Sequence, residues 1–233
     1  MDERIINQIV EAVLHELGAG GGAAAGDGLV TPDIAAGRVV IGVSARHIHL
    51  TPEHVGILFG AGSCLTVLKP LIQPGEFASQ QQVTLVGPSG RTLGPVRVLG
   101  PERAASQVEI SLTDCHALRL PTLPPIRPSG DHTGSVGLTL VGPAGAVTLT
   151  GGVIRANRHV HLHTAQAAAM GLKDRDTVSV RVTGERPAVL EGVQVRASDN
   201  FLAELHLDTD DANAVGVRSG DVARILLPRA SGG

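Results

Sequence analysis

Two histidine pairs are the residues in this chain best suited to chemistry. His47 and His49 lie in RHIHLT, and His159 and His161 lie in RHVHLH. On an extended strand the side chains at i and i+2 point to the same face, so each pair can chelate one metal ion. A lone His-x-His is equally typical of solvated or hydrogen-bonded imidazoles. The recurrence of the pair, each time after an arginine, favours metal binding.

A third ligand for each pair is predicted on a separate strand. Glu109 lies on the polar face of QVEIS, and His206 lies on the polar face of ELHLD. Taken alone, each is typical of an ordinary outward-facing polar residue. Beside the histidine pairs they become candidate third ligands, because catalytic zinc sites combine three protein ligands with an open position. The pattern predicts two zinc ions per chain, at catalytic rather than structural sites.

The other histidines have weaker patterns. His163 shares the predicted face of His159 and His161, and it is a candidate to hydrogen-bond to a metal ligand. The remaining four have no partner at chelating spacing, and we interpret them as structural or solvated: His15, His54, His116 and His132.

Three arginines lie next to these motifs. GPERAASQVEI places Arg103 just before the Glu109 strand, where its guanidinium can hold a phosphate by charge-assisted hydrogen bonds. Arg46 and Arg158 directly precede the histidine pairs, and strand alternation points them away from the predicted metal face.

The composition excludes several classes of function. The aromatic fraction is 1%, which argues against stacking on nucleic-acid bases. A formal charge of −3 gives no electrostatic reason to expect nucleic acid or an anionic membrane as a partner. No apolar run is long enough to span a membrane, and the N-terminus lacks a secretory pattern. Cys64 and Cys115 stand far apart, which excludes a disulfide framework and favours a reducing cytosol.

Residues 1–17 are predicted to form an amphipathic helix. Its apolar positions follow the helical period: Ile5, Ile6, Ile9, Val10, Val13, Leu14 and Leu17. Residues 18–37 include AGGGAAAGDG (19–28) and are predicted to form a flexible linker. Such a helix either folds back on its own domain or docks in a groove on another protein.

From Arg38 onward the chain consists of short Val/Leu/Ile/Thr runs separated by Gly and Pro. This pattern predicts β-barrels or a sandwich rather than a doubly wound α/β sheet. The histidine motif occurs twice, and TLVGPSG (84–90) recurs as TLVGPAG (139–145). The repeats predict two related halves with the site between them.

Four motifs, in this order, also carry a family resemblance: RHIHLT, GPERAASQVEIS, RHVHLH and ELHLDTDDANA. They resemble the PduL-type phosphate acyltransferases, the phosphotransacylases of bacterial microcompartments, and the resemblance runs from about Arg38 to Leu227. The N-terminal helix and tether resemble the encapsulation peptides that carry such enzymes into a protein-shelled organelle. The family motif usually has Ser or Thr where this chain has His163, which leaves room for an extra imidazole at the second zinc.

The resemblance implies a mostly β fold, with two pseudo-symmetric β-barrels capped by short α-helices. Residues 38–46 together with 153–229 would form one barrel, and residues 47–152 the other. It also implies a homodimer located in the microcompartment lumen, within the cytoplasm, as in propanediol degradation. Residues 1–17 would then bind a shell or cargo protein.

The resemblance further implies a reversible exchange of phosphate and CoA on a short acyl group such as propionyl or acetyl. In that scheme one zinc is bound by His47, His49 and Glu109, and the second by His159, His161 and His206. Arg103 would bind phosphate, and the candidate contacts to CoA are Ser129, Arg196 and Asn213.

Two other functions fit the same residues. A zinc hydrolase would use the ligands to make hydroxide from water. A non-catalytic metal- or ligand-binding component of the microcompartment would use them without chemistry. For the transferase we expect direct attack by bound phosphate, since the pattern requires no nucleophilic Ser or Cys.

Overall fold

The computed structural model describes residues 33–227 of the chain. The predicted helix over residues 1–17 and most of the predicted linker over residues 18–37 lie outside the described residues. The end of that linker is ordered, because Ile34–Ala36 forms a 3₁₀ helix whose N-cap, Asp33, accepts a hydrogen bond from the Ala36 amide. Ile34 packs against the core of the following barrel.

Within residues 33–227 the chain forms fourteen strands and four short α-helices. The strands are β1 (Arg38–Ser44), β2 (His47–His49), β3 (Val67–Pro70), β4 (Phe77–Val86), β5 (Thr92–Gly100), β6 (Gln107–Glu109), β7 (Ile126–Arg127), β8 (Val136–Val141), β9 (Ala146–Ala156), β10 (His159–Leu162), β11 (Thr177–Val182), β12 (Ala188–Ala197), β13 (Glu204–Asp208) and β14 (Val222–Leu226). The helices are α1 (Pro52–Phe59), α2 (Leu112–Ala117), α3 (Thr164–Ala169) and α4 (Thr209–Val215). None of the helices in this part of the chain has the length and apolar character needed to cross a membrane.

Twelve of these strands close into two six-stranded barrels. The first follows the order β1-β13-β10-β12-β11-β14 and returns to β1. The second follows β9-β6-β2-β5-β4-β8 and returns to β9. The two remaining strands lie outside the second ring, with β3 paired to β4 and β7 paired to β9. The predicted mostly β fold of two barrels is confirmed.

The two rings are equivalent strand by strand. Read in the orders above, the successive pairs are parallel, antiparallel, parallel, antiparallel, antiparallel and antiparallel in both barrels. The equivalence matches β1 to β9, β2 to β10 and β6 to β13. The predicted pseudo-symmetry therefore holds in the topology as well as in the motifs.

The first strand of each repeat belongs to the other repeat's barrel. The chain leaves β1 in the first barrel and passes through Ala45 and Arg46 into β2 of the second. It returns from β9 through Asn157 and Arg158 into β10. Both histidine pairs consequently begin at a crossover between the barrels, and this brings the two halves of the site together.

The second crossover lies after Ala156, a few residues beyond the boundary between residues 152 and 153 that was expected from the sequence. Strand β9 continues through Gly151 and Gly152, where a turn would otherwise be expected. Gly152 adopts a φ of +94°, and a Cβ there would lie 2.6 Å from the carbonyl oxygen of Ser106. Only glycine fits this position without strain, and it lets the strand bend rather than end.

Each barrel has a separate aliphatic core, consistent with the shortage of aromatic residues. Val39, Ile41 and Val160 are fully buried in the first barrel, and Ile48 and Leu85 are fully buried in the second. Burying one such side chain contributes about 1.5–3 kcal/mol. Strands β1 and β9 supply part of the core of the barrel they enter, so hydrophobic packing stabilises the exchange of strands.

The four α-helices follow directly on the four strands that carry the predicted ligands. Their N-cap residues are Thr51, Ser111, His163 and Asp208, each two positions after the last candidate ligand of its strand. In each case the cap side chain accepts a hydrogen bond from a backbone amide in the first turn of its helix. The caps fix where each strand ends and hold the ligand strands in place.

Candidate metal centre

The first cluster forms where β2 pairs with β6. His47 lies directly opposite Glu109 in the antiparallel register, and His49 is on the same face. All three side chains are buried, and each offers one ligand atom within 4.8 Å of the others. The structure therefore brings together the three residues predicted for one metal ion.

The second cluster forms in the same way where β10 pairs with β13. His159 lies opposite His206, and their rings stack with centroids 4.7 Å apart. The centroid of His161 is 4.8 Å from each of these two rings. The three imidazoles also offer ligand atoms within 4.8 Å of one another.

Backbone carbonyls at the two crossovers orient the first histidine of each pair. Nδ1 of His47 donates to the carbonyl oxygen of Ala45, and Nδ1 of His159 donates to that of Asn157, both at 2.9 Å. A metal-binding histidine commonly uses its second ring nitrogen in this way, which fixes the tautomer. In both repeats Nε2 is left to face the cluster.

The other histidine of each pair has ring nitrogens that the protein leaves unsatisfied. Nδ1 of His49 and both nitrogens of His161 are buried without a hydrogen-bond partner among residues 33–227. Buried polar atoms of this kind are rare and require an explanation. Divalent ions bound by imidazole and carboxylate would satisfy them, so the residues present fit two metal ions.

The protonation states agree with metal binding. Burial lowers the pKa of His49 and of His161 to about 2, and that of His159 to about 3, with neighbouring positive charges acting in the same direction. Imidazole coordinates metal in its neutral form. Burial would raise the pKa of Glu109, but the charges of His47 and His49 and hydrogen bonds with His47 and Ser129 together outweigh burial and lower the pKa, so the carboxylate is ionised.

His47 differs from His49, His159 and His161 in the direction of its pKa shift. Burial alone would lower its pKa, yet the nearby Glu109 carboxylate raises it overall. Nε2 of His47 lies 3.5 Å from Oε1 of Glu109. A metal ion at the first cluster would compete with a proton for Nε2 of His47.

Glu204 is a buried group at the second cluster that the sequence did not single out. Its Oε2 lies 2.9 Å from Nε2 of His206 and accepts a hydrogen bond of 2.9 Å from Nε2 of Gln73. A Cβ on Gly42, the strand partner of His206, would collide with the Glu204 carboxylate. The glycine in VVIGVSA is thus explained by the close approach of this side chain.

Arg103 lies beside the first cluster, as its position before the Glu109 strand predicts. Its charge contributes to the lowered pKa of His49, after burial and His47. Nη1 of Arg103 donates to Oγ of Ser129 at 3.0 Å, and Nη2 lies 3.4 Å from Glu76. The Arg103 side chain is 32% exposed, so it faces both the cluster and solvent.

A cavity of about 500 Å³ lies next to the second cluster. Its lining includes Pro128, next to Ser129, and Arg196, which pairs with His161 across β10 and β12. Phe201 also lines it, stacked on His161 with centroids 4.2 Å apart and lying 5.7 Å from the Arg196 guanidinium.

Two of the three candidate CoA contacts therefore lie at or next to this cavity. The third, Asn213, is on the exposed surface of α4, and no contact among residues 33–227 joins its side chain to a cluster.

The remaining histidines of the described chain have structural roles. His163 caps α3, accepting a hydrogen bond from the Ala165 amide at 3.1 Å, just as Thr51 caps α1 in the other repeat. His54 hydrogen-bonds to Ser106, and His116 is exposed. His132 is closer to the site than its pattern indicated, because its Nε2 hydrogen-bonds to the buried amide of Gln107.

Comparison with known proteins shows the family of this chain. Residues 40–218 match the phosphate propanoyltransferase family. The phosphate propanoyltransferase of Rhodopseudomonas palustris (strain BisB18) is 43% identical over 228 residues, covering 97% of this chain and 98% of the relative. Those of Thermotoga maritima and Lachnoclostridium phytofermentans are 46% and 48% identical, each over 81% of this chain and 89% and 87% of their own lengths. This chain belongs to the phosphate propanoyltransferase family, a family of phosphotransacylase enzymes.

Proposed function

We propose that this protein transfers a short acyl group, propionyl or acetyl, reversibly between CoA and inorganic phosphate. The observation that carries the proposal is the presence of two buried three-ligand clusters with Arg103 beside the first of them. Family membership supports the substrate class, because the relatives are named phosphate propanoyltransferases. The products in one direction are an acyl phosphate and free CoA.

We further propose that the ions are two zinc ions per chain. His47, His49 and Glu109 would hold one, and His159, His161 and His206 the other. When bound, such ions supply Lewis acidity toward a carbonyl or phosphoryl oxygen. The mixed imidazole and carboxylate ligands support zinc, with other divalent ions as competitors.

The residues of the chain contribute positioning and charge. One guanidinium nitrogen of Arg103 is engaged by Ser129, which leaves further N–H groups to donate to phosphate. Held there, a phosphate oxygen attacks the thioester carbonyl carbon. The new C–O bond forms, the C–S bond breaks, and CoA leaves as a thiolate that takes a proton from solvent. Orienting the two reactants within the cavity lowers the entropic part of the barrier.

This reaction needs no acyl-enzyme. Ser129 accepts hydrogen bonds from Arg103 and Gln107, which reduces the nucleophilicity of its oxygen. Cys115 is buried, and burial raises the pKa of its thiol to about 11. Neither side chain is prepared to attack a thioester, so we propose direct attack by bound phosphate. Isolation of a covalent acyl-protein from a single turnover would overturn this step.

For the CoA substrate we propose contacts with Ser129 and Arg196. Both lie at or beside the cavity, and Arg196 can reach an anionic or carbonyl group there. Asn213 stays a prediction from the sequence.

The decisive experiment supplies the zinc-loaded protein with propionyl-CoA, with and without phosphate. Free thiol is measured with a disulfide reagent, and acyl phosphate is trapped as the hydroxamate. We expect thiol release that depends on phosphate and is matched by hydroxamate. Thiol release without phosphate, giving only the free acid, would identify a hydrolase. No release after zinc has been restored would identify a non-catalytic binding protein.

We also propose that residues 1–17 direct the protein into a microcompartment, where it works as a homodimer. The amphipathic pattern before a Gly/Ala tether supports a docking helix. A chain lacking residues 1–27 should keep its activity and lose packaging when expressed with shell proteins. Loss of folding would instead show that the helix packs on its own domain, and sedimentation of the same variant reports the oligomeric state.

A further inference from the structure

Gln107 is a buried amide at the centre of the first cluster, and the function does not otherwise use it. It is 1% exposed and makes four side-chain hydrogen bonds. Nε2 contacts Oε1 of Glu109 at 2.6 Å and Oγ of Ser129 at 2.9 Å. Oε1 contacts the Gly130 amide at 2.7 Å and Nε2 of His132 at 3.0 Å.

These contacts allow only one orientation of the amide. The backbone N–H of Gly130 is always a donor, so it must face the carbonyl oxygen of Gln107. The NH₂ group then faces the ionised Glu109 carboxylate and the Ser129 hydroxyl oxygen. Each hydrogen of the NH₂ group has its own acceptor, and the amide is fully satisfied.

Ser129 extends this chain of contacts to the phosphate side of the site. Its oxygen accepts from Nε2 of Gln107 and from Nη1 of Arg103, at 2.9 and 3.0 Å. The Arg103 guanidinium can only donate, so both bonds use the lone pairs of the serine. One buried amide thus connects the carboxylate ligand of the first cluster to the arginine.

We propose that Gln107 is a positioning residue that sets Glu109 and Arg103 relative to one another. Through one NH₂ group it fixes the orientation of the ligand carboxylate, and through Ser129 it fixes the guanidinium. A phosphate on Arg103 is then held at a defined place relative to the first cluster. The part of this proposal that concerns phosphate on Arg103 rests on the proposed function, whereas the part that concerns the orientation of the Glu109 carboxylate does not.

The other repeat shows why an amide is required here. Glu204 occupies the equivalent position, opposite the second histidine of its pair, and contacts the third ligand, His206. An imidazole can donate to a carboxylate, so a glutamate suits that strand. In the first repeat the third ligand is itself a carboxylate, and only a donor can hold it. The residue two positions before each third ligand is thus matched in chemistry to that ligand.

The test separates the hydrogen bonds donated by the Gln107 NH₂ group from the packing of its side chain. Gln107→Glu keeps the size and the acceptor for Gly130 but loses both donors. Gln107→Met keeps the approximate volume and loses all four hydrogen bonds. Ser79→Ala is the matched control, because it removes a buried hydrogen bond from the same barrel, 2.8 Å from Oγ to the Val98 carbonyl, and the Ser79 side chain makes no hydrogen bond to Gln107, Ser129 or Arg103.

Zinc affinity is measured on each full-length variant by chelator competition. Steady-state assays of the same variants give KM for phosphate and for propionyl-CoA. We expect both Gln107 variants to weaken one of the two zinc equivalents by roughly 10–100-fold, the range for groups that orient a ligand. We also expect KM for phosphate to rise about tenfold, with KM for propionyl-CoA unchanged. Ser79→Ala should alter neither quantity.

The result that would overturn the proposal is a Gln107→Glu protein with wild-type zinc affinity and wild-type KM for phosphate. It would show that the amide only packs and supports the Gly130 loop. If the wild-type protein forms no acyl phosphate, the proposed function fails, and zinc affinity alone still decides whether Gln107 orients Glu109.

Discussion

Arg158 donates two hydrogen bonds, each 2.6 Å long, to the two carboxylate oxygens of Asp211. Arg46 forms the equivalent ion pair with Asp114, although Nε at 2.9 Å and Nη2 at 2.7 Å both lie against the same oxygen, Oδ1. In both repeats the arginine precedes the histidine pair, and the aspartate lies in the first turn of the helix after the third ligand. Each ion pair therefore joins the two strands that must meet to form a cluster.

The first prediction concerns the stability that this ion pair provides. Asp114 is 2% exposed, so Arg46→Ala leaves a buried carboxylate with only its hydrogen bond from the Ser111 amide. We expect the free energy of unfolding, measured in urea on metal-free protein, to fall by about 2–3 kcal/mol. Arg218→Ala is the control, because its pair with Asp221 is exposed and 3.9 Å long. That change should cost less than about 0.5 kcal/mol, and equal losses in the two variants would contradict the prediction.

The second prediction is that replacing His161 stabilises the metal-free protein but makes the zinc-loaded protein less stable than the wild type. Both of its ring nitrogens are buried without a partner in the described part of the chain. His161→Leu should therefore stabilise the chelator-treated protein by about 1–2 kcal/mol, because it removes two unsatisfied groups. With zinc present the wild-type protein should be the more stable of the two, since metal binding stabilises the folded state by mass action.

Unfolding of both proteins in chelator and in zinc measures the reversal. His54→Leu is the control, because its Nδ1 is already hydrogen-bonded to Ser106 at 2.7 Å. That variant should be destabilised under both conditions. A His161→Leu protein that is less stable than wild type in chelator would show that the orphaned nitrogens carry no cost.

The third prediction concerns the role of Arg103 in binding phosphate. Arg103→Gln removes the charge, and a charge-assisted hydrogen bond is worth about 1.5–3 kcal/mol. We expect KM for phosphate to rise roughly 10–100-fold in steady-state assays, with KM for propionyl-CoA changed less than about threefold. Arg103→Lys should recover part of the loss. Arg91→Gln, on an exposed turn of the same barrel, serves as the control. A rise in KM for propionyl-CoA alone would assign Arg103 to the other substrate.

The fourth prediction concerns the glycine beneath the second cluster. A Cβ at Gly42 would displace the Glu204 carboxylate from beside His206. Gly42→Ala should therefore weaken one zinc equivalent about tenfold in chelator competition and leave the other unchanged. Gly56→Ala in α1 is the control, because a Cβ there meets no atom within 4 Å. The control should raise stability by about 0.5–1 kcal/mol with no effect on zinc, and a Gly42→Ala protein with two wild-type zinc equivalents would refute the prediction.

Strand alternation, a local property, was enough to predict the two histidine pairs and the candidate third ligands, and the resemblance assigned each third ligand to its pair. His47 and His49 share a face because the period of a strand is two, and the same holds for His159 and His161. Glu109 and His206 were found because each is polar on an otherwise apolar strand. The two barrels and their pseudo-symmetry also followed from repeated motifs and from the resemblance. None of this required knowledge of which strands pair.

Pairing between distant segments of the chain decided which groups surround those ligands. Alternation places Gln107 on the face of Glu109 and Glu204 on the face of His206, but only the β2–β6 and β10–β13 registers set which groups lie opposite them. The ion pair between Arg46 and Asp114 depends on the same registers. The resemblance implied that β1 joins the barrel of the C-terminal half. The full exchange, with β9 entering the other barrel up to Ala156, is stabilised by burial of aliphatic side chains in cores assembled from both halves of the chain. The sequence by itself therefore determined which side chains can bind metal. Tertiary structure alone decided what holds them there, because the partners of a buried polar group are set by long-range packing.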